Sequence, residues 1–235
     1  MSELRIEMKG LTKKFRRDSV EISVLRGINL QVFEGDFISL MGPSGSGKST
    51  LLNIIAGIDR PSDGEIRVLD TDILSMSEDE LATWRNRHVG FVFQHFNLIP
   101  VLTAFGNIEL PLLLTPLSRK ERREHVMKAL ELVGLTDRAD HYPRQLSGGQ
   151  EQRVSIARAI VTDPTFILAD EPTGDLDADS AQEVMKVLAG LNGDEHFRKT
   201  IILVTHDPRA AAYASTRHYL DKGVLVQRDR VPMPS

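Results

Sequence analysis

The stretch Gly42-Pro43-Ser44-Gly45-Ser46-Gly47-Lys48-Ser49-Thr50 constrains the fold more than any other part of the chain. It follows the apolar run Phe37-Ile38-Ser39-Leu40-Met41 and precedes helical spacing over residues 50–58. The glycines open backbone conformations that a side chain forbids. Strand, glycine loop and helix together form the setting in which backbone N–H groups wrap a polyphosphate at the positive end of a helix. In that setting Gly42, Ser44, Gly45, Ser46, Gly47 and Thr50 build the phosphate wall. Lys48 reaches the outer phosphates, and Ser49 ligates magnesium.

A second apolar run, Phe166-Ile167-Leu168-Ala169, ends in Asp170-Glu171. Open α/β sheets bind ligands at such carboxyl ends of strands. Asp170 is suited to hold magnesium through a water, and Glu171 to orient or deprotonate an attacking water. A third run, residues 200–205, is followed by His206-Asp207-Pro208, and a fourth, residues 89–93, by Gln94. Runs this short and this apolar read as strands of a central parallel sheet. Ser147-Gly148-Gly149-Gln150 starts a helix over 148–162, and its small residues expose N–H groups suited to an anion.

The remaining segments fill in an α/β fold. Residues 4–8, 25–32 and 64–69 read as strands, and the basic run 13–18 as an exposed turn. Helices are expected over 118–133, stopped by Gly134, and over 178–191. Lys222-Gly223 joins two short strands in a hairpin, and the tail after Arg228 is expected to be loose. The nucleotide core takes residues 1–93 and 163–235, and a helical subdomain takes about 94–162.

With 235 residues the chain is long enough for a substantial buried core. A net charge of -4 offers no basic excess, so no nucleic-acid partner is expected. The absence of cysteine excludes disulfides and thiolate metal sites. The longest apolar stretches fall well short of the roughly 18–20 residues of a membrane helix. The chain is expected to be soluble, so a membrane path would have to come from another polypeptide.

The run LSGGQEQRVSIARA, residues 146–159, resembles the signature of ATP-binding cassette (ABC) transporters nearly letter for letter, with Glu151 where that family often has glutamine. With the phosphate loop upstream and the acid pair downstream, the chain resembles an ABC transporter ATPase subunit over about residues 4–228. The resemblance implies a P-loop NTPase fold with a RecA-like core sheet, an N-terminal antiparallel β subdomain and an α-helical subdomain. It also implies ATP and Mg2+ as cofactors. It casts His206 as the switch histidine at the γ-phosphate and Gln94 as the glutamine that senses magnesium and faces the membrane partner. Phe15 takes the place of the adenine-stacking tyrosine, keeping the ring face. Two copies would close head to tail over two ATP molecules, with Ser147, Gly148, Gly149 and Gln150 of one facing the phosphate loop of the other.

The words FVFQHFNLIP (residues 91–100), NIELPL (107–112) and ADEPTGDLD (169–177) are similar to the lipoprotein-release, macrolide-export and FtsE-type branch. No C-terminal regulatory domain is expected. The chain would then sit at the cytoplasmic face of a membrane, peripheral through an integral membrane permease. A soluble, non-transport ABC ATPase and an importer subunit stay open as alternatives. The apolar segment 96–102 is expected to dock the permease, with Leu98 and Leu102 as its test positions.

Overall fold

The computed structural model describes residues 3–17, 20–194 and 198–230. The chain opens with a long hairpin, β1 (Leu4–Arg17) and β2 (Val20–Phe33), and passes into β3 (Phe37–Met41) and α1 (Lys48–Ile55). Strands β4 (Asp63–Val68) and β5 (Thr71–Asp72) follow, then α2 (Glu78–His88) and β6 (Val89–Val92). Helices α3 (Ala104–Glu109), α4 (Arg119–Leu132) and α5 (Gly148–Ile160) come next. The chain then alternates through β7 (Phe166–Asp170), α6 (Ala178–Gly193), β8 (Thr200–Val204) and α7 (Pro208–Ala211). It closes in the hairpin β9 (Thr216–Asp221) and β10 (Val224–Arg230).

Two sheets form. The larger has the order β10-β9-β3-β8-β7-β6, parallel except for β10. The smaller is antiparallel, β2-β1-β4-β5. The central strands are buried on both faces, which is why they read as unbroken apolar runs. Ile167 and Ala169 join the core shared with α3, α4, α5 and α6. Phe166 and Leu168 point the other way, into the core shared with α1 and the antiparallel sheet. Period-two alternation thus sends one strand into two cores.

The basic run 13–18 is not an exposed turn. β1 continues through Arg17, paired with Val20, and residues 18–19 lie outside the described residues. Register shifts between Met8, Leu11, Lys13 and Lys14 break the alternation. Lys13 is consequently buried, and its amine bonds Asp59 and the carbonyl of Arg60. The turn chemistry that a charged run suggests loses to fourteen-residue strand pairing. The loose tail expected after Arg228 is likewise shortened, since residues 229–230 belong to β10; residues 231–235 lie outside the described residues.

Helix α1 begins at Lys48 and ends at Ile55, two residues before Gly57, whose φ is +64°. Apolar spacing does not announce helix α2. Ser77 and Glu80 form a capping box at its start, and only Leu81 and Trp84 are buried, so apolar spacing is faint while the cap is plain. The hairpin at Lys222-Gly223 has both central residues at positive φ, the conformation a two-residue hairpin turn requires.

Candidate functional site

The phosphate loop is built by close packing as much as by motif. Gly42 has φ +147°, and a Cβ there would lie 2.0 Å from Leu220 O. Gly47 caps α1 at φ +103°, where a Cβ would lie 2.8 Å from Leu25 Cδ2 and 2.9 Å from Val24 O. Strand β9 and the start of β2 thus press the loop into its curve, and only glycine fits at these two positions.

Above the loop lies an open cavity of about 930 Å³. Its lining includes Ser44, Gly45, Gly47, Lys48, Ser49 and Thr50 from the loop and α1, with Asp170 and Glu171 from the end of β7. Gln94, just after β6, and His206, after β8, join them. Four parallel strands therefore deliver their carboxyl ends to one place, as expected of an open α/β sheet. Val24, His95, Asn97 and Val204 also line the cavity, though none of them is an expected site residue.

Lys48 is buried, and its Nζ donates to Gly42 O (2.9 Å) and Pro43 O (3.0 Å). Asp170 stands beside it. Burial pushes the Asp170 carboxyl above its ordinary range and Glu171 adds to this, while a hydrogen bond with Ser49 and the charge of Lys48 oppose it. Glu171 has φ +48°, uncommon for a residue with a side chain. Its N–H is tied to Val204 O (2.9 Å), and its Oε1 lies 2.9 Å from His206 Nδ1. The His206 backbone N–H reaches Glu171 Oε2 at 3.3 Å. Gln94 Nε2 donates to Asp175 Oδ1 (3.0 Å), and His95 Nδ1 lies 2.7 Å from Asp175 Oδ2. Those two contacts hold the Asp175 carboxyl below its ordinary range.

The donor set suits a metal-bound polyphosphate. Asp170 Oδ1 and Ser46 Oγ are buried without a hydrogen-bond partner among the described residues. An anionic oxygen and a hydroxyl in that condition, beside a lysine amine and a helix start, match Mg2+ and phosphate oxygens.

Two sets of expected residues lie apart from this cavity. Phe15 is 43% exposed on β1, with Lys13 Nζ 4.8 Å from its ring centre, and it does not line the cavity. Ser147, Gly148, Gly149 and Gln150 start α5 elsewhere. Ser147 Oγ accepts from Gln150 N, and Gln150 Oε1 accepts from Ser147 N, a reciprocal cap. Gly148 is exposed beside Leu176, and a Cβ on Gly149 would lie 2.8 Å from Ser180.

The segment 96–102 divides. Leu98 packs against the helical core, and Leu102 lies under Gly106. Ile99 and Val101 are exposed, Val101 by 79%. Buried Asn107 fixes the segment through Ile99 N, Ile99 O and Leu102 O. Leu98 and Leu102 are thus half-buried, and the exposed apolar surface of the segment is carried by Ile99 and Val101. No helix among the described residues is long and apolar enough to cross a membrane.

Residues 25–174 match the family model described as ABC transporter. The chain is 46% identical over 225 residues to the uncharacterized ABC transporter ATP-binding protein YvrO of Bacillus subtilis, covering 96% of this chain and 97% of that protein. It is 44% identical over 230 residues to the macrolide export ATP-binding/permease protein MacB of Marinobacter nauticus, covering 98% of this chain and 35% of MacB. The solved dimer of MJ0796, an ABC transporter cassette of Methanocaldococcus jannaschii, superimposes with a TM-score of 0.88 at 43% identity, covering 97% of this chain and 99% of that one. A second dimeric structure of MJ0796, bound to ADP and Pi, also gives 0.88, at 42% identity and the same coverage. Phosphate loop, acid pair and helix start occupy one such cassette from end to end, and the chain belongs to the ABC transporter family as an ATPase close to the MJ0796 and MacB cassettes of the lipoprotein-release and macrolide-export branch.

Proposed function

We propose that two copies of this chain close head to tail on two ATP molecules and drive a separate membrane permease of the export or envelope type. One observation carries the reading: the second anion-binding helix start, Ser147–Gln150, lies outside the cavity that holds Lys48, Asp170 and Glu171. An exposed helix start that lies outside its own chain's cavity suits the nucleotide of a second chain. The MJ0796 dimers support this reading.

In this reading the loop 42–50 wraps the phosphates and Lys48 neutralises the outer ones. Ser49, Asp170 and Gln94 would hold Mg2+, which would supply positive charge to offset that of the phosphate oxygens. Glu171 orients the water and accepts its proton. His206, already against the Glu171 carboxylate, fixes that side chain and faces the γ-phosphate. Phe15 offers a ring face to the adenine. The permease would meet the exposed Ile99 and Val101, and through it the chain would sit peripherally at the cytoplasmic face of a membrane.

Mixing Lys48→Ala chains with Ser147→Arg chains tests the composite site. Each parent alone carries two damaged sites. A mixed dimer carries one intact site and one doubly damaged site, so turnover reappears on mixing. Wild-type turnover by Ser147→Arg alone would make each chain self-sufficient and end the proposal.

A further inference from the structure

Gln152 lies on α5, and none of the roles assigned above uses it. Its side chain is fully buried. Its Nε2 donates to two backbone carbonyls, Phe93 O at 3.1 Å and Pro172 O at 2.6 Å. With two acceptors at that end, only the NH2 end of the amide fits there. The two carbonyls are not ordinary helix or strand partners. Phe93 directly precedes Gln94, and Pro172 directly follows Glu171.

Gln152 thus ties together two loops that converge on the nucleotide cavity. The same loops also meet through Gln94 Nε2 and Asp175 Oδ1. The helix that carries Gln152 holds the first of these loops at a second point. Arg158 donates to Phe96 O (2.8 Å) and Asn97 O (2.6 Å), residues held at positive φ. The same helix begins at Ser147-Gly148.

We infer that Gln152 is a positioning residue for hydrolysis: it sets the backbones beside Gln94 and Glu171 in register with each other and with the anion-binding start of α5. The inference rests on the proposed roles of Gln94 and Glu171. A shift of α5 along its axis carries the Gln152 amide with it, and both carbonyls follow or lose their donor. An unmet carbonyl pair in a buried site is unfavourable, so the loops move with the helix rather than apart from it.

Gln152→Met keeps length and apolar bulk but removes both donors. We expect turnover at saturating ATP to fall at least tenfold. Binding of a fluorescent ATP analogue to the single chain stays within twofold of wild type, because no group of the phosphate loop is touched. Hydrogen exchange over peptides covering 93–97 and 171–176 accelerates together. Combined with Gln94→Ala, the variant costs less than the product of the two single effects, since both act on one loop. If Gln152→Met unfolds, Gln152→Asn replaces it; its nitrogen, one methylene shorter, falls short of the two carbonyls that the single Nε2 serves, and the same split is expected. Turnover within twofold of wild type overturns the inference. So does a parallel loss of nucleotide binding, turnover and melting temperature, which marks a packing role. Glu171→Gln, run alongside, separates the two readings: if it turns over normally, the assignment of Glu171 fails; if it is inactive while Gln152→Met is active, only the role of Gln152 fails.

Discussion

Asp170→Asn should make the nucleotide-free protein more stable while disabling it. Burial raises the Asp170 carboxyl above its reference of 3.8, and its Oδ1 has no partner among the described residues. Folding therefore favours protonation of this carboxyl relative to the unfolded chain. That contribution is complete below the unfolded value and is lost as pH rises through the folded one, so at neutral pH the folded chain holds a poorly solvated carboxylate. An amide removes the charge but leaves a buried N–H with few acceptors, and the site is partly open to water. The net gain is taken at the low end for an unmet buried group, about 1 kcal/mol. In a domain of this size that raises the melting temperature by about 2–4 °C. The difference should shrink as pH falls below the reference of 3.8, where the wild-type carboxyl becomes protonated in both states. Magnesium reverses the order. At a hundredfold excess over Kd a ligand stabilises by about 2.7 kcal/mol. The wild type should gain more from Mg2+ with ATP than from ATP with EDTA, and Asp170→Asn should not. Differential scanning fluorimetry across pH, with and without Mg2+, measures all of this. A nucleotide-free Asp170→Asn less stable than wild type at pH 7 would refute the burial argument. An equal magnesium gain in both would remove Asp170 from the metal site.

Glu171→Gln keeps the hydrogen bond to His206 but cannot take a proton; ATP binding survives and turnover falls by roughly 10²–10⁴-fold, measured by phosphate release. Gly42→Ala sets a methyl against Leu220 O at positive φ and costs about 2–5 kcal/mol, read as a lower urea midpoint; an unchanged midpoint contradicts the close approach. Val101→Asp leaves isolated-chain ATPase and melting temperature unchanged and abolishes permease capture. Leu98→Asp instead destabilises the chain itself, which separates the exposed face from the packed one.

What the sequence disclosed depends on which partner each residue faces. Strands buried on both sides read directly, because Phe37–Met41 and Phe166–Asp170 leave no polar face to confuse the period. Lys13 misled for the opposite reason: a register shift, invisible in composition, turned a lysine inward onto Asp59. The apolar letters of 96–102 suggested one surface, yet Asn107 folds them so that Leu98 and Val101 part company. No local pattern records an asparagine eight residues beyond Ile99 acting as the template for such a turn.

The cavity was legible where its parts are side chains, and silent where they are backbone. Glu171 and His206 are chosen by letter, and their 2.9 Å contact follows from two adjacent parallel strands ending together. The clamps on α5 are different. Gln152 and Arg158 act on carbonyl oxygens, which every residue carries, so neither Phe93 nor Asn97 announces its partner. Their effect is nonetheless specific, because one rigid helix fixes three carbonyls across residues 93–97 and a fourth at Pro172. A loop held at several points by one element cannot relax independently of it. Any load that moves the start of α5 must therefore reach Gln94 and Glu171 by the same rigid path.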